Sequence, residues 1–363
     1  MTFERLHDEP IVSVLMSSYN HATFLSQAIQ SIVKQTYKNF EFIICDDGSD
    51  DGSVEIAKKW AAIDTRIVLI VKENGGQASG FNTAFKKCRG DVICFVDADD
   101  VYHPNKLERV VGAFFQFPLA GCVLNRLMRV DERLRTRGPL PLMGTLPTGW
   151  CSGKMLASGG ILPYFPGTPG INLRREVAAR LFPMPESEPL NMCPDMVMQR
   201  LVPLVTRLAA IDQPLVDIRM HCANTYMRSS LSVQSITKEL KLCEELWNAQ
   251  HQFLSAFQPD LGAKLRPVDV NLGIRIQRYA RARLAGQTTS SVLREVLDGA
   301  GEKPRGLART FWSMSALLPL WAFQFAANVL LTQGRAKQWL SWLEGVYRPS
   351  EHTRHERVEE ARA

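Results

Sequence analysis

Four times in its first hundred residues the chain runs through a short apolar, β-branched stretch, and three of the four break directly into a polar or acidic cluster. The stretches cover residues 11–16, 40–45, 66–71 and 91–96. Runs of this length, bounded by turn residues, read as buried strands. Between the first two, Phe24-Leu25, Ala28-Ile29 and Ile32-Val33 recur at helical spacing, and residues 78–87 read as another helix. A helix after the second run is expected to start near Ser53, a suitable N-cap. Alternating strands and helices build a parallel sheet with helices on both faces. Such sheets bind ligands outside the carboxyl ends of their strands. The polar clusters 17–20, 46–49 and 97–100 fall at those ends, so the pattern draws one site from three separate segments.

Each cluster suggests a chemistry. Asp97-Ala98-Asp99-Asp100 follows an apolar strand. Carboxylates that face a crevice are natural ligands for Mg²⁺ or Mn²⁺, and such an ion can stabilise a leaving diphosphate. The plain alternative is an acidic turn that caps the next helix through Asp100. Asp46-Asp47-Gly48-Ser49 can hydrogen-bond a nucleobase or ribose, or make an ordinary Asp-Gly turn.

The blocks together resemble the family 2 glycosyltransferases. The resemblance rests on Val12–Ser18 with Tyr19-Asn20, on residues 35–41 followed by 46–51, on residues 74–82, and on Gly90-Asp91 with residues 95–100. It is strong over residues 10–130, looser over 168–225, and absent beyond. It implies the GT-A fold, a Rossmann-like α/β architecture with a mostly parallel sheet flanked by helices. It also implies a nucleotide-diphosphate sugar as donor, with UDP-sugars favoured, and Mn²⁺ or Mg²⁺ as cofactor. By the same resemblance Ser17 and Asp47 contact the nucleobase, Tyr19 lines its pocket, Asn82 belongs to the nucleotide-sugar site, and Asp97 faces the ribose or diphosphate. Asp99 holds the metal, and His221, in Arg219-Met220-His221, approaches the metal or diphosphate. Asp195 matches the general base that deprotonates an acceptor hydroxyl, for which a helix N-cap is the plain alternative. Two departures stand out: Phe81 replaces an arginine many members carry, and Pro194 precedes Asp195 where many have an acidic residue.

Further along, residues 139–169 are rich in Gly and Pro and read as irregular loops beside the sheet. Strand then helix is expected over 171–181, a helix over 195–208, and a strand over 214–218. Beyond about residue 226 strand signals fade and Arg and Lys increase. The expected organisation is therefore a catalytic domain over 1–225 and a mainly helical extension over 226–363. Residues 272–284 are basic on one helical face and apolar on another, a pattern suited to anionic lipid or to a surface helix packed on the catalytic domain. Residues 311–331 lack charge but contain Pro319, Gln324 and Asn328, which favours an interfacial or re-entrant helix, then a buried core helix, over a membrane span.

Composition narrows the class. The net charge of +6 suits anionic substrates or an anionic membrane surface, and no nucleic-acid-binding signature accompanies it. The eight cysteines are scattered without a C-x-x-C pair, which points to buried thiols in a reducing compartment. Residues 1–10 carry charges and no apolar core, so they are not read as a signal peptide. The expectation is a cytoplasmic enzyme, peripheral on the membrane's cytoplasmic face, that glycosylates a hydroxyl acceptor such as a lipid-linked saccharide. A polyprenyl-phosphate sugar synthase and a non-catalytic nucleotide-sugar-binding protein are the alternatives.

Overall fold

The structure is a computed structural model, described here for residues 3–139, 144–162, 164–221, 232–287, 289–300, 303–304, 306–320 and 322–324. The chain divides into two compact units, Met1–Met227 with Lys241–Val268, and Arg228–Leu240 with Asp269–Ala363.

The first unit is built on one sheet. In chain order it carries β1 (Val12–Ser18), α1 (Ala22–Val33), β2 (Phe40–Asp46), α2 (Ser53–Ile63), β3 (Ile67–Val71), α3 (Gln77–Phe85) and β4 (Val92–Asp97). Then follow β5 (Val101–Tyr102), α4 (Lys106–Gln116), β6 (Ala120–Asp131), β7 (Thr136–Pro139), α5 (Ser152–Ala157), β8 (Ile171–Arg174), α6 (Arg175–Leu181), α7 (Pro194–Val205) and β9 (Arg207–Met220). The sheet has nine strands in the order β3-β2-β1-β4-β8-β6-β9-β5, with β7 paired to β6. Strands β3, β2, β1 and β4 run parallel, and β6 is parallel to β9. Strand β8 lies antiparallel between β4 and β6, so β6 and β9 point the same way as the first four. Every residue of β1 and β2 is buried, because each face of these strands meets a separate apolar layer. Leu15, Ile43 and Phe95 face the layer that includes α3 and α7, while Val14, Phe42 and Cys94 face that of α1 and α4.

Several expectations need correction. Ser53 is not the cap of α2 but its first residue. Gly52 precedes it at φ 95°, and the Ser53 hydroxyl donates to Asp51 at 2.6 Å. Asp100 caps no helix, because β5 follows it and α4 starts only at Lys106. The 139–169 segment is not wholly irregular: it includes α5 and leads into a 3₁₀ turn at Thr168–Gly170, although residues 140–143 and 163 lie outside the described residues. The helix expected over 195–208 stops at Val205, and β9 starts at Arg207 and runs 14 residues. The 12-residue β6 has no counterpart among the strands that periodicity picks out. Its polar residues Asn125, Arg126 and Arg129 hide a strand whose partners bury it on both edges.

The first unit also contains α8 (Val233–Phe257) from Lys241 onward and α9 (Pro259–Gly262). Leu246, Leu254 and Leu265 enter the core layer of α7. The buried Gln250 amide donates to the Arg200 carbonyl at 2.8 Å. All seven described cysteines are buried.

In the second unit, α10 (Leu272–Leu284), α11 (Ser290–Asp298) and α12 (Gly306–Ser315) follow one another. Tyr279 packs edge-on against Trp312 and Phe323 and shares a 2.9 Å hydrogen bond with Ser315. Two arginines of α10 turn inward. Arg275 donates to the Glu295 carbonyl near the end of α11 at 3.0 Å, and Arg283 donates to the Leu318 carbonyl. The Glu295 carbonyl lies in the last turn of α11, where the helix dipole attracts a cation. The carbonyls that hold these two arginines belong to the second unit, and not to the catalytic domain on which the sequence pattern would pack the helix. Among the described residues no helix is long and apolar enough to cross a membrane. Residues 325–331 of the uncharged tail segment lie outside the described residues.

Candidate active site

Ser17 of β1 stands beside Cys45 of β2 and Asp97 of β4, so three loops leave the sheet at one level. The strand order reverses at β1 and β4, which opens a crevice there. The facing wall is the Thr168–Gly170 turn, the first turn of α7 and the end of β9. These walls enclose a cleft of about 730 Å³. Ser17, Tyr19, Asp47, Asp97, Asp99 and Asp195 all line it.

On the β2 side, Asp47 is buried and its carboxylate is already engaged. It accepts hydrogen bonds from Gly75 N at 3.1 Å, Gly76 N at 2.7 Å and Lys72 Nζ at 2.6 Å. Gly76 takes φ 88°, a conformation that glycine adopts without strain. Asp47 thus shapes the loop that opens α3. Asp46 turns away to accept from Ser49 N and Oγ, both at 2.8 Å. The β1 and β2 loops are tied together, with Asn20 N donating to Ser49 Oγ at 2.9 Å and Ala22 N to Asp51 at 2.8 Å. Tyr19 is the exposed aromatic of this wall.

Asn82 does not reach the cleft. Its amide donates to the Met184 carbonyl and to Glu186, and its oxygen accepts from Met184 N at 2.8 Å. The side chain is buried and spent on fastening α3 to the segment after α6. The structure therefore gives Asn82 a bracing role rather than the binding role expected from the resemblance.

The acidic strand end carries the strongest electrostatics. Asp97 accepts from Gln77 Nε2 at 2.7 Å. Burial first, then the neighbouring Asp99 and Asp195, push its carboxyl well above the ordinary range. Asp100 is raised likewise by burial, Asp99 and Asp97, and accepts from Arg219 N at 3.0 Å. Asp99 Oδ2 lies 2.8 Å from His221 Nε2, and that ring packs 4.9 Å from Phe24. Arg219 donates to the Asp99 carbonyl at 2.8 Å, the Glu132 carbonyl at 2.5 Å and Gln27 at 2.7 Å. In the sequence Arg219 stands out only as part of a motif and Gln77 only as part of a block. Their hold on the acidic loop depends on elements far apart in the chain.

These residues suit a divalent cation. Several carboxyls are crowded together against the cost of burial, which a cation offsets, and Asp99 with His221 supplies an oxygen and a nitrogen donor side by side. Among the described residues no three acidic, histidine or cysteine side chains form a closed set. An ion held here would take further ligands from diphosphate oxygens and water, as Mg²⁺ commonly does.

Asp195 occupies the first turn of α7, across the cleft from the acidic strand end. Burial lifts its carboxyl above the ordinary range, opposed by the Met196 N–H and its own N–H.

Comparison with known proteins bears on the family and the fold. Residues 13–181 match the family described as Glycosyl transferase family 2. An uncharacterized glycosyltransferase of Nostoc sp. is 29% identical over 268 residues, 74% of this chain and 81% of the relative. An uncharacterized glycosyltransferase of Haemophilus influenzae is 38% identical over 108 residues, 30% of this chain and 43% of the relative. Among solved structures, S. aureus TarS 1–349 in complex with UDP-GlcNAc superposes with a TM-score of 0.50 at 16% identity, covering 91% of each chain. That likeness is one of fold. Over residues 13–181, a little under half of its length, the chain is similar to glycosyl transferase family 2.

Proposed function

We propose that the protein is an inverting, metal-dependent glycosyltransferase that moves a hexosyl or N-acetylhexosaminyl group from a nucleotide-diphosphate donor to an acceptor hydroxyl. The observation that carries the reading is the placement of Asp195, a carboxylate of raised proton affinity that faces Asp97 and Asp99 across one cleft. In the proposed reaction the acceptor oxygen attacks the anomeric carbon as its proton passes to Asp195. The bond from that carbon to the diphosphate breaks, its electron pair leaves with the diphosphate, and configuration inverts. A carboxylate with raised proton affinity is suited to general-base work near neutral pH. This favours a hydroxyl acceptor over a phosphate acceptor, which needs no strong base. Asp99 and His221 would hold Mn²⁺ or Mg²⁺, whose charge would stabilise the leaving diphosphate. Ser17, Tyr19 and the loop shaped by Asp47 would receive the nucleoside, and Gln77 would keep Asp97 in place. A lipid-linked saccharide is the favoured acceptor class, in surface glycan or glycolipid synthesis at the cytoplasmic face of a membrane.

The first test is a titration of the purified protein with UDP, GDP and their common sugar conjugates, with and without Mn²⁺. UDP-sugars come first because the fold neighbour is seen with UDP-GlcNAc. Metal-dependent binding that prefers one nucleotide and is lost in Asp99→Ala is the expected outcome. Absence of binding by a folded protein to every donor would remove the donor site and leave a non-catalytic protein.

A further inference from the structure

Beneath the acidic strand end lies a charged group that the proposed reaction does not use. Lys106, the first residue of α4, is fully buried. Its ammonium donates to the Pro169 carbonyl at 2.5 Å and sits 3.8 Å from the centre of the Tyr102 ring. Tyr102 is itself fixed, its hydroxyl donating to the Phe95 carbonyl of β4 at 2.5 Å. The backbone around Lys106 is equally constrained. Gln35 accepts from Leu107 N at 3.0 Å and donates to the His103 carbonyl at 2.8 Å. Burial pushes the lysine down to about 7, against the opposing influence of Cys94, Asp100 and Asp97.

An unbranched apolar side chain would fill the same space without desolvating an ammonium, which is costly. What the ammonium adds is a grip on one carbonyl. That carbonyl belongs to the Thr168–Gly170 turn. Gly167, Thr168 and Pro169 form the cleft wall beside Asp195, and a Cβ at Gly167 would lie 3.8 Å from Asp195 Oδ2. The turn closes with Gly170 N donating to the Gly167 carbonyl at 2.9 Å, and the chain then enters β8 between β4 and β6. Thr168, Pro169 and Gly170 are themselves buried, so the lysine adds one directed bond to a turn that is already packed.

We propose that Lys106 is a positioning residue for the acceptor side of the cleft: by holding the Pro169 carbonyl it sets the Gly167–Pro169 wall against Asp195. The nucleoside side of the proposed donor site is built from the β1, β2 and α3 loops, while the bond of the Lys106 ammonium goes to the Pro169 carbonyl and not to the carboxylates of the β4 end. Its loss should therefore slow the chemical step and leave donor affinity largely intact.

The test uses the full chain and three forms, wild type, Lys106→Met and Lys106→Arg. Methionine keeps an unbranched apolar stem without a donor, whereas arginine keeps a cation that can stack on Tyr102. Amide hydrogen exchange is followed at Gly170 and Ile171, with Gly75 to Gln77 as the donor-side reference. Hydrolysis of the donor sugar found in the first titration, with water as acceptor, gives kcat and KM. In Lys106→Met we expect exchange at Gly170 and Ile171 to quicken about tenfold with the reference loop unchanged. We expect kcat to fall about tenfold with KM within about threefold, effects of the size seen when a reacting group is misplaced. Lys106→Arg should recover much of both. An unaltered turn and kcat in folded Lys106→Met would overturn the proposal. So would loosening of both loops with KM and kcat changed together, which marks general destabilisation, or failure of arginine to restore either quantity. The kinetic half rests on the glycosyl-transfer reading. If the wild type hydrolyses no donor, that reading fails by itself, and the exchange data still decide whether Lys106 holds the turn.

Discussion

Asp195 sits between opposing influences. Burial raises its proton affinity, while N–H groups at the start of α7 favour the ionised form. Because the folded carboxyl lies above its unfolded value, ionisation costs stability. That cost is absent below the unfolded pKa and grows as pH rises through the folded one. Asp195→Asn should therefore raise Tm by roughly 2 °C at pH 8, with the gain vanishing at acid pH. The same substitution should lower kcat by about 10²–10⁴-fold, the range of general-base contributions. Transfer by the wild type should in turn rise with pH through a midpoint above the ordinary carboxylate range. A flat profile over that range, or an Asp195→Asn enzyme of near-normal kcat, would remove Asp195 as the base. Asp51 shows the opposite sign. Desolvation works against its ionisation, but bonds from Ser53 and the Ala22 N–H hold its carboxyl below the ordinary value. It supplies from a distance the cap that His21 does not give α1. Asp51→Ala should cost about 1 kcal/mol, typical of a lost cap, measured by urea denaturation at neutral pH. The loss should shrink as pH falls through the carboxyl's own titration.

At the scale of elements, periodicity and turn residues reveal the first half of the sheet and not the second. Strands β1, β2 and β4 carry continuous apolar runs because both faces are covered, and the acidic clusters that end β2 and β4 mark the cleft in the chain's own pattern. Strand β6 carries Asn125, Arg126 and Arg129, polar groups answered by distant partners. Asn125 accepts from Asn172 at 3.0 Å, and Arg126 pairs with Asp212. No local pattern announces such pairings. Asn82 shows the converse limit: a residue whose motif points to the binding site is consumed by Met184 and Glu186, one hundred residues onward. The role of α8 is equally hidden, since a helix after residue 226 looks like part of an extension until Leu246 and Leu254 are found in the catalytic unit's core. Leu254→Ala, which empties a fully buried site, should cost about 2–5 kcal/mol. The loss should appear in the unfolding of the donor-binding unit, followed by the Tm shift that a bound nucleotide gives. A Leu254→Ala protein that unfolds as the wild type does would detach α8 from the catalytic unit.

Charge is distributed unevenly over the whole molecule. The catalytic unit holds 27 Lys and Arg against 27 Asp and Glu, whereas the other unit holds 16 against 10 and so carries the entire net charge of +6. A neutral catalytic unit gains nothing from an anionic surface at long range, so any attraction to one must come through the helical unit. On α12 and just beyond it, Met314, Leu317 and Leu320 are exposed at intervals of three residues, with Arg309, which pairs with Asp298 at 2.8 Å, exposed upstream on the same helix. Apolar contacts beside cations are what an interfacial helix needs. The expected outcome is binding of the full chain to vesicles that contain anionic lipid and not to purely zwitterionic ones. Binding should weaken severalfold as salt rises from roughly 0.05 to 0.5 M, because screening shortens the reach of exposed charges. Leu317→Glu should lower the affinity at every salt concentration while leaving nucleotide binding in the catalytic unit unchanged. Equal binding to both kinds of vesicle, or none to either, would separate the enzyme from the membrane and move the acceptor from lipid-linked saccharides to soluble ones.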